Sequence, residues 1–284
     1  MKMRFSALML AAALCLRAGQ GFEQARKLYN LTDFEGSLRI LQAASEKDAA
    51  AWELTGRNWY MLADYKKATD SLEKAAAADP NNAEIALWLG RAYGRRAETS
   101  SPFTAPGNAS KARQWLERSV QLNSKNAEAL SDLFEYYIEA PGFLGGGLDK
   151  AQTLTGKIAQ VDPSEAQWAE ARLAEKRKDF NSVEDHLRRA IDANPQRIGR
   201  FLDLARFLAK QGRFQESDEN IARAEKLAPN SPRVIYAKAD LYVKHNRNLE
   251  LARKLLQQYM SMSLSPDDPP RSDAAKLLKQ VQGS

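Results

Sequence analysis

One cysteine and two histidines in 284 residues leave little material for metal binding or nucleophilic catalysis. His186 and His245 stand far apart, with no H-x-x-x-H spacing and no cysteine partner, so no zinc site is encoded. A glycine-rich phosphate loop is missing, and no Ser-His-Asp grouping can be given roles, so the sequence assigns no catalytic, cofactor-binding or metal-binding residue and argues against an enzyme. Excess charge is scarce too. The formal +6 falls to +3 once Lys2, Arg4 and Arg17 of the N-terminal segment are set aside. The remaining Lys and Arg are interspersed with acids, which argues against a nucleic-acid partner. Two local basic runs, Arg91 with Arg95 and Arg96, and Lys176 with Arg177 and Lys178, fit solvated helix ends.

Long apolar runs are absent as well. Phe5 to Leu16 is mostly apolar for twelve residues, short of the ~20 that a spanning helix needs. Basic residues precede this run at Met1 to Arg4, and small ones follow it at Ala18, Gly19 and Gly21. The pattern is that of a secretory signal peptide over residues 1–21, with cleavage expected between Ala18 and Gly21. The product is then exported, periplasmic or secreted, with no membrane insertion after cleavage. Arg17 near the cut favours the competing reading, an uncleaved anchor. Lipid attachment through Cys15 fits less well, because Leu14 stands where a small residue is normal. Cleavage would remove Cys15 and leave a chain without disulfides or thiolate sites.

What the chain has is a motif recurring about every 34 residues. It is clearest in Trp52, Gly56, Trp59, Tyr65, Ala68, Leu72, Ala75 and Pro80. The unit-ending position passes through Pro80, Ser124, Pro163, Pro195, Pro229 and Pro266, in steps of 44, 39, 32, 34 and 37 residues. Apolar residues at helical spacing predict a helix over Ala49 to Ala63 and a second over Lys66 to Ala78, with Asp64-Tyr65 as the turn. Gly56 and Ala68 let the two backbones approach. Asp79-Pro80 ends the second helix, because a residue before proline is pushed out of the α region. A repeat of this length cannot bury its own apolar face and must stack on its neighbours.

These residues resemble the tetratricopeptide repeat (TPR) family. The third unit matches through Leu89, Gly90, Tyr93, Ala112 and Leu116, and the fourth through Leu133, Tyr137, Ala151 and Pro163, with Phe134 where a small residue is expected. The fifth matches through Ala171, Phe180, Leu187, Ala190 and Pro195, the sixth through Leu204, Ala205, Gly212, Phe214, Ile221, Ala224 and Pro229, and the seventh through Ala239, Tyr242, Ala252 and Leu256. A degenerate first unit runs through Leu28, Phe34, Ser37, Leu41 and Ala44. The resemblance implies an all-α, right-handed α-solenoid superhelix of about seven helix pairs. The units fall near 22–48, 49–82, 83–126, 127–163, 164–197, 198–231 and 232–266. Residues 267–284 then form a capping helix and tail, with Leu277, Leu278 and Val281 packed on the last unit.

The resemblance also implies a binding groove lined by the first helix of each pair. Carried onto this chain, the groove residues are Glu53, Arg57, Tyr60, Trp88, Arg91, Arg95, Glu135, Arg206, Lys210, Tyr236 and Asp240. The alternative for this set is that Trp88 belongs to the core between units and that the arginines pair with nearby acids. The family's two-carboxylate clamp is not carried over, because Glu53, Trp88, Glu128 and Asp132 stand where basic residues and asparagines belong. Two lengthened units place insertions at Glu98 to Ser110, expected as a mobile loop, and at Pro141 to Leu148. In the latter, either a buried Phe143 plugs the helix crossing at Phe134, or Phe143 and Leu144 form an exposed contact. The expected function is a non-catalytic scaffold of the cell envelope that binds a protein or peptide. A structural organiser that self-associates or is tethered to the envelope is the alternative.

Overall fold

In the computed structural model, residues 20–44 and 46–282 are described; the expected leader, with Cys15, lies outside them apart from its last two residues. The described residues form helices and no strand. The first hairpin is α1 (20–30) with α2 (Phe34–Ala43), followed by α3 (Ala49–Met61) with α4 (Tyr65–Ala78) and α5 (Ala83–Thr99) with α6 (Ala105–Leu122). Next come α7 (Ala127–Glu139) with α8 (Leu148–Val161) and α9 (Pro163–Lys176) with α10 (Phe180–Ala193). The last pairs are α11 (Ile198–Lys210) with α12 (Phe214–Leu227) and α13 (Pro232–Lys244) with α14 (Leu249–Ser261), and α15 (Arg271–Gln282) closes the array. The chain divides into two compact units. One holds residues up to Leu133 with Phe143–Gly145, and the other holds Phe134–Gly142 with Gly146 onward.

Local chemistry accounts for the helix ends. The Asp48 carboxylate accepts from the Ala51 amide at 2.8 Å, Asn82 from Glu84 and Ile85, and Asp162 from Glu165 at 2.9 Å, each satisfying amides that a helix start leaves unpaired. Four hairpins reverse through one left-handed residue, at Thr32, Ala63, Lys178 and Gly212, and the seventh reverses through two, Asn246 and Asn248. Only Gly212 adopts that conformation without a Cβ penalty. Ala63→Gly is therefore expected to stabilise the protein by about 0.5–1 kcal/mol, read from the urea midpoint, since relief of the left-handed strain exceeds the entropy that glycine adds to the unfolded chain.

Packing follows the small positions. A Cβ on Gly56 would lie 2.5 Å from Leu72 Cγ, and one on Gly90 would lie 2.6 Å from Leu116 Cγ, so glycine permits the close helix pairing within these hairpins. In the first unit, Leu54, Leu72, Leu89, Tyr93 and Leu116 are buried. In the second, Val183, Leu187, Phe201, Leu204, Leu208 and Ile221 form one core. A separate cluster of Ile235, Leu256, Tyr259 and Ala274 is covered by Leu277, Leu278 and Val281 of α15, which shields the apolar face that the seventh hairpin would otherwise expose.

Two local expectations are corrected. Most of Thr99 to Ser110 is not loop: α5 continues to Thr99, and α6 begins at Ala105. The extra residues lengthen both helices. Pro106 falls in the first turn of α6, where its missing N–H leaves no hydrogen bond unmade. The short link is held by Asn108, which donates to Ser100 Oγ at 2.9 Å, while Ser100 donates to the Arg96 carbonyl at 2.6 Å. Nor does Phe143 plug the crossing at Phe134. Phe143 is 82% exposed on a 3₁₀ turn, Gly142–Leu144, whereas Phe134 is fully buried with its ring 6.2 Å from that of Trp168. The glycines after the turn are structural. A Cβ on Gly146 would sit 1.8 Å from the Ala140 carbonyl oxygen, and Gly147 takes a φ of +152° while donating to the Tyr137 carbonyl at 2.8 Å.

Candidate partner-binding face

From the second hairpin to the seventh, the residue that follows the small position of the first helix recurs once per hairpin, as Arg57, Arg91, Glu135, Arg172, Arg206 and Asp240. Packing fixes where these residues stand, and their neighbours fix what each is free to do. In the first unit they build a stack. Trp88 is only 8% exposed and packs against two guanidiniums, Arg57 at 4.4 Å and Arg91 at 5.0 Å from its ring centre. Tyr60 meets Trp88 edge-on at 5.4 Å, and Tyr65 meets Tyr60 at 5.6 Å. Trp88 Nε1 donates to Glu84 at 2.9 Å. With so little of its surface exposed, Trp88 is core packed against Arg57, Arg91 and Tyr60 and not an open groove side chain.

The arginines of this unit are paired. Arg57 meets Glu53 at 3.2 Å and Glu84 at 3.8 Å, Arg91 meets Glu128 at 2.8 Å and also Asp132, and Arg95 bonds Glu98 and the Tyr65 hydroxyl. Burial would lower the Arg91 pKa, but Asp132 and Glu128 outweigh it and hold the guanidinium well above its ordinary value. Glu53 is raised above the usual glutamate range by burial, which Arg57 offsets only in part.

In the second unit the same position forms a cross-hairpin ladder. Arg172 binds Glu135 with two nitrogens, at 3.0 and 3.2 Å, and also reaches Glu139 at 3.0 Å and Glu175 at 2.7 Å. Lys176 meets Glu139 at 2.7 Å, and Lys210 meets Glu175 at 3.0 Å. Arg206 meets Asp203 at 3.1 Å. Asp240 is buried against Lys244 at 2.8 Å and is withdrawn from the surface. Tyr236 packs 5.3 Å from Tyr259; burial, with Asp240 and Asp273 nearby, pushes its hydroxyl pKa up to about 12.

Arg172 and Trp168 are absent from the groove set drawn from sequence, although the same register, applied to the fifth hairpin, places both. They matter here. A recess of about 350 Å³ opens between α9 and α11, with Trp168, Ala171, Val183, Leu187 and Phe207 among its walls and Glu135, Arg172, Glu175, Arg206 and Lys210 around it. Its apolar floor gives contact area, and its charged rim is largely self-neutralised. Of the expected loop contacts, Phe143 is exposed and Leu144 half-buried. His186 faces Gln167 at 2.9 Å, and His245 packs on Phe214. Among the described residues no group of three or more His, Cys, Asp or Glu could hold a metal ion, and no helix is long and apolar enough to cross a membrane.

The ladder makes a pH prediction. Burial would raise Glu175, but Lys210 and Arg172 outweigh it and hold the carboxyl below the usual 4.5. A depressed folded pKa contributes stability that is present above the unfolded value and lost as pH falls through the folded one. Glu175→Gln is expected to be less stable at pH 7, by on the order of 0.5 kcal/mol, and to lose less of its melting temperature between pH 5 and 3 than the parent.

Against solved structures, the chain is similar to a tetratricopeptide repeat protein from Parabacteroides merdae, with 16% identity, a TM-score of 0.59, and 93% of this chain and 98% of that one covered. It is also similar to a thermophilic TPR protein from Thermus thermophilus, with 17% identity, a TM-score of 0.54, and 67% of this chain and 98% of that one covered. No protein-family model and no curated protein matches. The fold is that of a TPR helical repeat.

Proposed function

We propose that this TPR-fold chain is a non-catalytic protein-interaction scaffold of the cell envelope that holds an extended segment or helix of a partner against its first-helix face. The observation that carries this reading is the recess between α9 and α11, whose apolar floor opens among charges that are largely paired with one another. Such a surface draws affinity from an apolar anchor side chain and selectivity from its rim. The envelope location rests on the N-terminal leader pattern alone.

A photo-crosslinking residue at Lys210 is expected to capture a stoichiometric protein partner in native membranes and periplasm, and one at the exposed Arg189 on α10 is not. Capture of nothing, or of the same species at both positions, would count against the proposal. The organiser alternative rests on a different observation, the exposed Phe143 and the 97% exposed Phe103. Sedimentation velocity separates the two readings. A soluble monomer favours the groove, and an oligomer that dissociates on Phe143→Asp favours the organiser.

A further inference from the structure

A second recess, of about 270 Å³, opens beside the first, between the first turns of α11 and α13. The two share Asp203 and Arg206, so one bound segment can occupy both. Their characters differ. The second is lined by four guanidiniums, Arg197, Arg200, Arg206 and Arg233, against the single carboxylate of Asp203.

Behind that wall, Arg197 reaches Asp162 at 2.7 Å and Glu165 at 2.6 Å, and Arg200 reaches Glu165 and, at 3.1 Å, Asp203. These three acids balance three of the four cations. The surplus lies with Arg206, whose side chain is 44% exposed and touches Asp203 through one nitrogen, and with Arg233, which is exposed and makes no ion pair among the described residues. The start of α11 adds to it. Its N-cap is Arg197, which supplies no side-chain acceptor, and Ile198 and Gly199 line the recess. A Cβ on Gly199 would meet no atom within 4 Å, so this helix end is open.

We infer that the second recess takes a carboxylate side chain of the partner. The recognised motif is then bipartite: a large apolar side chain for the floor at Trp168 and Phe207, and an Asp or Glu a few residues away for Arg206 and Arg233. Charge complementarity and size select this occupant, because a guanidinium fork matches a carboxylate and the lining is dominated by arginine, with only Ile198 and Leu202 apolar. The inference rests on the groove reading above.

The test uses the purified protein and a fluorescein-labelled peptide array. Each peptide holds a central Phe or Leu, with Glu or its neutral twin Gln placed one to four residues away, and binding is read by fluorescence polarisation. At one preferred spacing the Glu peptide is expected to bind about tenfold tighter than its Gln twin, with the ratio shrinking as salt rises. Arg233→Gln and Arg206→Gln are each expected to bring that ratio toward one, and circular dichroism checks that the variants remain folded. Equal binding of the twins at every spacing overturns the carboxylate site and leaves the apolar groove standing. A Glu preference that survives both substitutions also overturns it. Indifference to replacing the central Phe or Leu by Ala, or no binding by either series, brings down the groove reading itself.

Discussion

Trp88→Ala is expected to destabilise the first unit by about 3–5 kcal/mol, the range for removing a buried aromatic ring. Three losses coincide. The cavity left behind lies among well-packed neighbours, Tyr60 loses its edge contact at 5.4 Å, and the guanidiniums of Arg57 and Arg91 lose the ring they both pack against. The Glu84 carboxylate also loses the indole donor at 2.9 Å. In a stack of hairpins the damage is local, so urea unfolding followed by circular dichroism is expected to split into two transitions where the parent shows one. Trp88→Phe, which keeps an aromatic ring against the arginines, is expected to lose less than half as much. A loss below about 1 kcal/mol for Trp88→Ala would mean that the side chain is an exposed groove contact after all.

The second large effect belongs to Arg200. It lies buried against Glu165, also buried, with its guanidinium 5.2 Å from the centre of the Trp168 ring. Arg200→Ala is expected to destabilise the protein by about 3 kcal/mol. That is the low end for breaking a buried pair, because Arg197 still reaches Glu165 and Arg206 still reaches Asp203. The double variant Glu165→Leu with Arg200→Met is expected to recover most of that loss. It removes both desolvated charges together and leaves Arg197 with Asp162 and Arg206 with Asp203. A double variant as unstable as the sum of its singles would show that the pair is not coupled.

Residues with short-range consequences are the legible ones. Gly56 and Gly90 stand where a Cβ would strike Leu72 and Leu116, and the spacing alone marks them as points of close approach. Asp48, Asp64, Asn82 and Asp162 end turns because each side chain serves an amide two or three residues on, a relation that needs no knowledge of the rest of the chain. The lengthened third unit departs from expectation for a related reason. Its Ser, Thr, Pro and Gly suggest a loop, but proline and glycine in a first helical turn oppose the helix little, and Ser100 and Asn108 tie the ends together. The omission of Trp168 and Arg172 is one of register, since the fifth hairpin sits on the shortest step of the repeat and obeys the same rule as its neighbours.

Apolar period, small positions and helix caps act within a few residues or within one hairpin, so the order of amino acids is enough to make this chain a stack of helical hairpins with a capping helix. Which charges remain available is settled later, by the folded arrangement. Arg91 finds Asp132 41 residues away, Arg172 finds Glu135 at 37 and Lys210 finds Glu175 at 35, distances along the chain at which nothing local selects one acid over another. Long side chains on adjacent first helices meet only after the hairpins have stacked. That stacking buried Trp88, left Phe143 in the open, and set an apolar recess beside one where arginine outnumbers its partners.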